Sequence, residues 1–300
     1  MRKMKKWLSV GICLAVGAMA LGFSACGAFA AGVGAGLVAK DFVDGFMSGL
    51  IPLKESEGFK FALNDDNASY SLIGIGTCTD TDVVIPATYE GLPVTTIGFG
   101  AFFGCDSLTS VVIPDSVTTI GSDAFYCCSS LTSVVIPDSV TTIGSYAFYN
   151  CSSLTSVVIG DSVTTIGSYA FYNCSSLTSV VISDSVTTIG KGVFLLCSSL
   201  TSVVIPDGVT TIGHYAFYNC SSLTSVEIPD SVTTIGDYVF SSCSSLKTVY
   251  YKGTASGWSN MSIGYSNAYL TDATRYYYSE TKPTTTGNYW HYVDGVETPW

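Results

Sequence analysis

The sequence predicts a mainly β solenoid of about eight coils, each 23 residues long, and three observations carry that prediction. The segment Cys128 to Asn150, CSSLTSVVIPDSVTTIGSYAFYN, returns almost verbatim from Cys151, Cys174, Cys197 and Cys220; it begins one period earlier at Cys105 and runs out after Cys243. The period never changes length through these copies. One such unit cannot bury its apolar face alone and must pile onto copies of itself. Finally, Leu131, Val134 and Ile136 fall in the spacing L-x-x-V-x-I, which turns alternate residues of a short strand inward and leaves Thr132, Ser133 and Val135 outside.

In chain order, residues 1–30 read as an export signal. Arg2, Lys3, Lys5 and Lys6 form a basic start, and Trp7 to Phe23 is an uncharged apolar run. Phe23-Ser24-Ala25-Cys26 has the form of a lipidation box, making Cys26 a candidate lipidated N-terminus. Ala28-Phe29-Ala30 is an ordinary cleavage site, and the charge-free run to Ala39 is long enough for an uncleaved anchor. All three readings place the rest of the chain outside the cytoplasm. Residues 31–58 read as a tether, with Leu37, Val38, Phe42, Phe46 and Leu50 spaced for a short amphipathic helix. Residues 59–77 alternate around Asn64-Asp65-Asp66-Asn67, a β-hairpin that would cover the open end of the core.

The solenoid is expected over residues 78–246. Its first coil carries Val83-Val84-Ile85-Pro86 and a loop insertion around Tyr89-Glu90-Gly91. In the repeating unit Pro137-Asp138-Ser139 closes the strand in a turn, because Pro137 presets φ and offers no donor. Val140 and Ile143 bracket a β-branched pair suited to a second short strand, and Gly144 is expected to end it with positive φ. Ala147 and Phe148 fill the core, and Cys151 closes the coil. Residues 247–300 form an aromatic-rich C-terminal cap, with Asp294-Gly295 marking a tight hairpin and Arg275 to Ser279 a further strand.

Composition removes several function classes. The formal net charge is −11, and between Cys78 and Leu246 the only basic residue is Lys191, against thirteen Asp and Glu. Nucleic acid binding needs phosphate neutralisation by Lys and Arg, so it is excluded, and anionic membrane surfaces are disfavoured. Only two histidines occur, His214 and His291, and neither has a nucleophile or acid partner visible in the sequence. No phosphate loop, zinc spacing or paired-carboxylate motif appears, so no enzyme, metal or cofactor is expected.

Several residue columns remain as candidates. Cys105, Cys128, Cys151, Cys174, Cys197, Cys220 and Cys243 stack at one strand spacing; their side chains point the same way, which suits buried thiols better than disulfides. The Asp column, Asp115 to Asp230, suits turns whose carboxylates accept backbone N–H groups, with a row of calcium ions as the alternative. Val112, Val135, Val158, Val181 and Val204, flanked by Ser133, Ser156 and Ser179, would form an apolar strip large enough to mark a binding surface; Glu227 and Tyr250 continue that column. Tyr146, Tyr169 and Tyr215, with a second Tyr column at Tyr126, Tyr149, Tyr172 and Tyr218, would either pack between coils or serve adhesion.

The L-x-x-V-x-I core, Ile-Pro at the strand end, Ile-Gly after the Thr pair and the closing Ala-Phe-x-x-Cys resemble the BspA-like (type 5) leucine-rich repeat family of bacterial surface proteins, through seven consecutive coils. The resemblance implies a leucine-rich repeat solenoid with a parallel sheet on one face and short strands and turns on the other, export, no enzyme, and a role in adhesion or protein binding. Gly160 and Ser183 for Pro, Gly208 for Ser, and Val193 and Val239 for Ala depart from the unit without threatening its packing. The expected function is therefore a cell-surface or secreted protein presenting repeats to an extracellular protein. A glycan- or wall-binding protein using the Tyr columns and the tail is the first alternative, and a structural spacer the second.

Overall fold

In a computed structural model, residues 54–300 are described. The leader, Cys26 and the tether up to residue 53 lie outside the described residues. The chain winds into a parallel-strand solenoid of about nine turns, one more than the sequence suggested. Its front strands are Asp82–Val84, Ser110–Val112, Ser133–Ile136, Ser156–Ile159, Ser179–Val181, Ser202–Val204, Ser225–Ile228, Thr248–Tyr251 and Thr274–Tyr278. Rear strands are two residues long in the repeats, as at Thr142–Ile143 and Thr165–Ile166, and pair in parallel with the same column of the next coil.

Inside, the repeat becomes a set of ladders. Leu131, Val140, Ile143, Ala147, Phe148 and Cys151 have no exposed surface, and their counterparts in other coils are likewise buried, except half-buried Cys105. The Phe rings from Phe102 to Phe240 stack with centroids 4.9 to 5.5 Å apart, close to one strand spacing. Six column cysteines are fully buried thiols, each donating Sγ–H to a Phe carbonyl 26 residues earlier, for example Cys151 to Phe125 O at 3.2 Å. Desolvation pushes Cys151, Cys197 and Cys243 up to about 12. Threonines outside the core seal the backbone, as Thr132 and Thr155 donate to the carbonyls of Thr109 and Thr132.

Two expectations about the turns need correcting. Gly144 does not adopt positive φ; left-handed backbone occurs instead at Tyr146 (φ 58°) and Asn150 (φ 58°), and at their counterparts in the other coils. What selects Gly144 is contact: a Cβ there would collide with the Ser122 N and Gly121 carbonyl carbon of the preceding coil. In the Asp turn, the Asp138 carboxylate accepts the N–H of Asp161 in the next coil at 2.7 Å, so it links coils rather than closing its own turn.

Both strand faces are interrupted near the middle. The front strands form one sheet from Asp82–Val84 to Ser179–Val181 and another beginning at Ser202–Val204; the rear pairing stops between Thr165–Ile166 and Thr188–Ile189. The coil between these breaks is the one carrying Ser183 for Pro, Lys191-Gly192 and Leu195-Leu196. Phe and Cys ladders cross the breaks intact, with Phe171 and Phe194 5.5 Å apart and Cys197 Sγ 3.2 Å from Phe171 O.

At the N-terminal end Lys60–Leu63 and Tyr70–Gly74 form an antiparallel hairpin whose second strand joins the rear sheet beside Val94, Thr96 and Ile97. At the other end coil geometry runs past Leu246, where the sequence had placed the end of the solenoid. Thr248–Tyr251 pairs with Thr274–Tyr278 in register, and Ser262–Ile263 extends the rear row. The repeat is lost to the eye there because Tyr and Arg replace the aliphatic consensus. A short helix, Ala255–Asn260, with Thr254 Oγ1 accepting from Gly257 N, buries Trp258 beneath the Arg275 guanidinium at 3.8 Å. The chain ends in a hairpin, Tyr289–Val293 with Val296–Pro299, whose turn residues Asp294 and Gly295 both have positive φ.

Candidate functional site

The expected valine strip is not continuous. Val135 is 54 % exposed, Val112, Val181 and Val204 are half-buried, and Val158 is only 5 % exposed. Ser156 is buried with it, while Ser133 and Ser179 are half-buried. Val158 pairs in register with both Val135 and Val181, so its neighbours shield it; between the coils of Val112 and Val135 the ladder holds only at Ser110 and Ser133, which leaves Val135 standing free. The strip therefore breaks at its centre.

The tyrosines behave differently. Each member of the Tyr146 column sits at positive φ, at the point where the chain leaves the rear strand for the buried Ala-Phe pair. This conformation swings the ring onto the flank of the solenoid. Tyr146 lies 5.3 Å from Tyr169, and Tyr215 5.1 Å from Tyr238, with near-parallel planes. The second column is tighter: Phe103, Tyr126, Tyr149 and Tyr172 follow one another at 4.8, 4.6 and 4.4 Å with planes within 2°. Burial and the flanking phenols push Tyr149 up to about 12. The two columns touch at Tyr146 and Tyr149 and again at Tyr215 and Tyr218, forming one aromatic ledge. It is interrupted where Gly192 and Leu195 stand, and there Lys191 Nζ lies over the Tyr169 ring at 5.8 Å. Because ring faces lie against one another, only rims meet solvent in the middle of the ledge.

A second concentration of chemistry lies on the front face near the C-terminal end. Glu227 occupies the valine column and is 2 % exposed. The final hairpin bonds to the sheet through Tyr289 and Trp290, then crosses the front face so that Tyr292 Oη donates to Glu227 Oε1 at 2.7 Å. Lys252 Nζ lies 3.3 Å from the same oxygen, 2.8 Å from Asp207 Oδ1 and 5.7 Å from the Tyr292 ring centroid. Burial raises the Glu227 pKa, a hydrogen bond with the Glu297 carboxyl raises it further, and Tyr292 and Lys252 oppose both. Of this group the sequence reading singled out Glu227, in the valine column, and Asp207, in the Asp column, without joining them. The available signal was a double departure from the unit: Glu for Val at 227 and Lys for Pro at 252, in consecutive coils.

His214 lies at the rear of the solenoid with its Nδ1 3.4 Å from the Asp237 carboxylate, and His291 lies in the final hairpin. His214 Nδ1 accepts the Asp237 amide at 2.9 Å, and His291 stacks on Trp300 at 3.6 Å. Among the described residues no cluster of His, Cys, Asp and Glu is arranged to hold a metal ion, and no helix is long and apolar enough to cross a membrane.

Among solved structures, a leucine-rich repeat protein of T. pallidum is 29 % identical, with a TM-score of 0.52 over 70 % of this chain and 86 % of its own. Another, from Bacteroides ovatus, is 25 % identical, with a TM-score of 0.51 over 75 % of this chain and 71 % of its own. No curated protein matches. The family description "BspA type Leucine rich repeat region" matches residues 77–198 and 164–271, in six copies. Ladder, period and match agree: the chain belongs to the BspA-type leucine-rich repeat family.

Proposed function

We propose that this chain is a non-enzymatic binding protein, displayed on or released from the cell surface, that contacts an extracellular protein through the tyrosine ledge on the flank of its repeats. The observation that carries this reading is the stacking of Tyr126, Tyr149 and Tyr172 at 4.4 to 4.6 Å. Sugars are held by free aromatic faces, and here those faces are occupied by neighbouring rings. What remains outside is a row of rigid rims, each an apolar edge with a phenolic oxygen, the chemistry enriched at protein interfaces. The net charge of −11 favours a partner with a basic surface. Export rests on the leader over residues 1–30 and lipid anchoring on Cys26, both readings of the sequence.

Binding of the purified chain to arrays of extracellular proteins and of glycans tests this. A protein ligand is expected, and Tyr149→Ser with Tyr172→Ser should weaken it by about 2 kcal/mol, the scale of an interface hot spot, whereas Val135→Lys should leave it within about 0.5 kcal/mol. Retention of a glycan in place of a protein, or loss of binding only on Val135→Lys, would refute the proposal.

A further inference from the structure

We propose that Lys252 and Glu227 condense to an intramolecular amide, fastening two consecutive coils to each other beneath the C-terminal hairpin, with Asp207 as the base and Tyr292 as the donor to the carbonyl oxygen. The placement argues for more than an ion pair. The repeat offers Val at the first position and Pro at the second, and the two departures meet with Nζ 3.3 Å from Oε1, one bond from the carboxyl carbon it would attack. The Glu227 side chain is 1 % exposed and that of Lys252 is 17 % exposed, so both charges would be held away from water as a salt bridge, at a desolvation cost that amide formation removes. Asp207, more than half exposed, lies 2.8 Å from the amine, where it can take a proton. Tyr292 Oη, 2.7 Å from Oε1, is placed to stabilise the oxyanion. The hydrogen bond with Glu297 favours the protonated carboxyl, the form from which a hydroxyl can leave.

The step balances without an external reagent. Asp207 takes a proton from the Lys252 ammonium, and the freed lone pair adds to the Glu227 carboxyl carbon. The C–OH bond then breaks, and the proton held by Asp207 departs with the hydroxyl as water. The proton that Nζ sheds on becoming an amide nitrogen passes through Asp207 to solvent.

Tryptic mapping of the full chain, denatured after prolonged incubation at neutral and mildly acidic pH, tests the bond. Cleavage after Lys252 should be missing, and residues 192–247 should appear joined to residues 248–275 in a branched peptide lighter than their sum by one water, with fragmentation placing the link at Glu227. Glu227→Val, which restores the repeat consensus, and Lys252→Arg should each abolish the branched peptide, and Asp207→Asn should slow its appearance about a hundredfold. Complete cleavage after Lys252 at both pH values, or a link that fragmentation assigns to Asp207, would overturn the proposal.

Discussion

Leu196 sits at φ 64°, in a column where neighbouring coils carry Asn150, Asn173 and Asn219. Left-handed backbone strains Leu and is tolerated by Asn, and the Asn side chains also link coils, Asn173 Nδ2 donating to Asn150 Oδ1 at 2.6 Å. Leu196→Asn should therefore stabilise the chain by about 1 kcal/mol, measured as a raised urea midpoint with unchanged slope. Glycines offer a sharper pair. A Cβ on Gly144 meets the backbone of the previous coil, whereas one on Gly190, at the rear break, has its nearest atom, Ile166 O, at 3.4 Å. Gly144→Ala should cost about 3 kcal/mol, and Gly190→Ala should fall within about 1 kcal/mol of neutral, in the same denaturation assay. Both glycines look alike in the sequence. A repeat unit states which residue recurs, but whether it recurs for its dihedral angles or for its closeness to the coil below is a property of stacked backbones, so the expectation of positive φ at Gly144 went astray.

At the level of elements, the Leu, Val, Ile, Phe and Cys columns were readable from spacing alone, because each inward position recurs every 23 residues and only one winding buries them all. The exposure of outward columns was not. Val112, Val135 and Val158 are chemically identical, yet range from 54 % to 5 % exposed according to how completely each strand is paired. The Glu227 group escaped for a different reason. Its members come from two coils, the segment after Thr248–Tyr251 and the hairpin 65 residues on, and only the crossing of that hairpin brings Tyr292 to Glu227. The cysteine ladder gives the element-scale prediction. Thiols held near 12 stay protonated at mildly alkaline pH, so Cys151, Cys197 and Cys243 should resist alkylation in the folded chain, while half-buried Cys105, its pKa lowered by the neighbouring Cys128 thiol, should react before the rest of its column. Peptide mapping after a brief exposure to iodoacetamide reads this directly.

For the molecule as a whole, the same thiols set a pH limit. Their folded pKa lies above the unfolded value of about 8.5, so their contribution is fully present below that value and is lost progressively as pH rises towards 12. Thermal midpoints should hold steady through neutral pH and fall across this window; substituting Cys197→Ala should shrink the fall. Surface carboxylates add to the alkaline repulsion only weakly, since they are already ionised at neutral pH.

The interrupted strand pairing has a mechanical meaning. Tension applied between the two ends is shared by two hydrogen-bonded strand rows almost everywhere, but each interface of the coil at residues 177–199 keeps only one of those rows, and the rest passes to turn hydrogen bonds such as Phe171 N to Val193 O at 2.9 Å and to the stacked Phe rings. Single-molecule extension should show yielding there first, with each remaining stack still closed by its own hairpin, so that a chain pulled from both ends gives way in its middle before either end loosens.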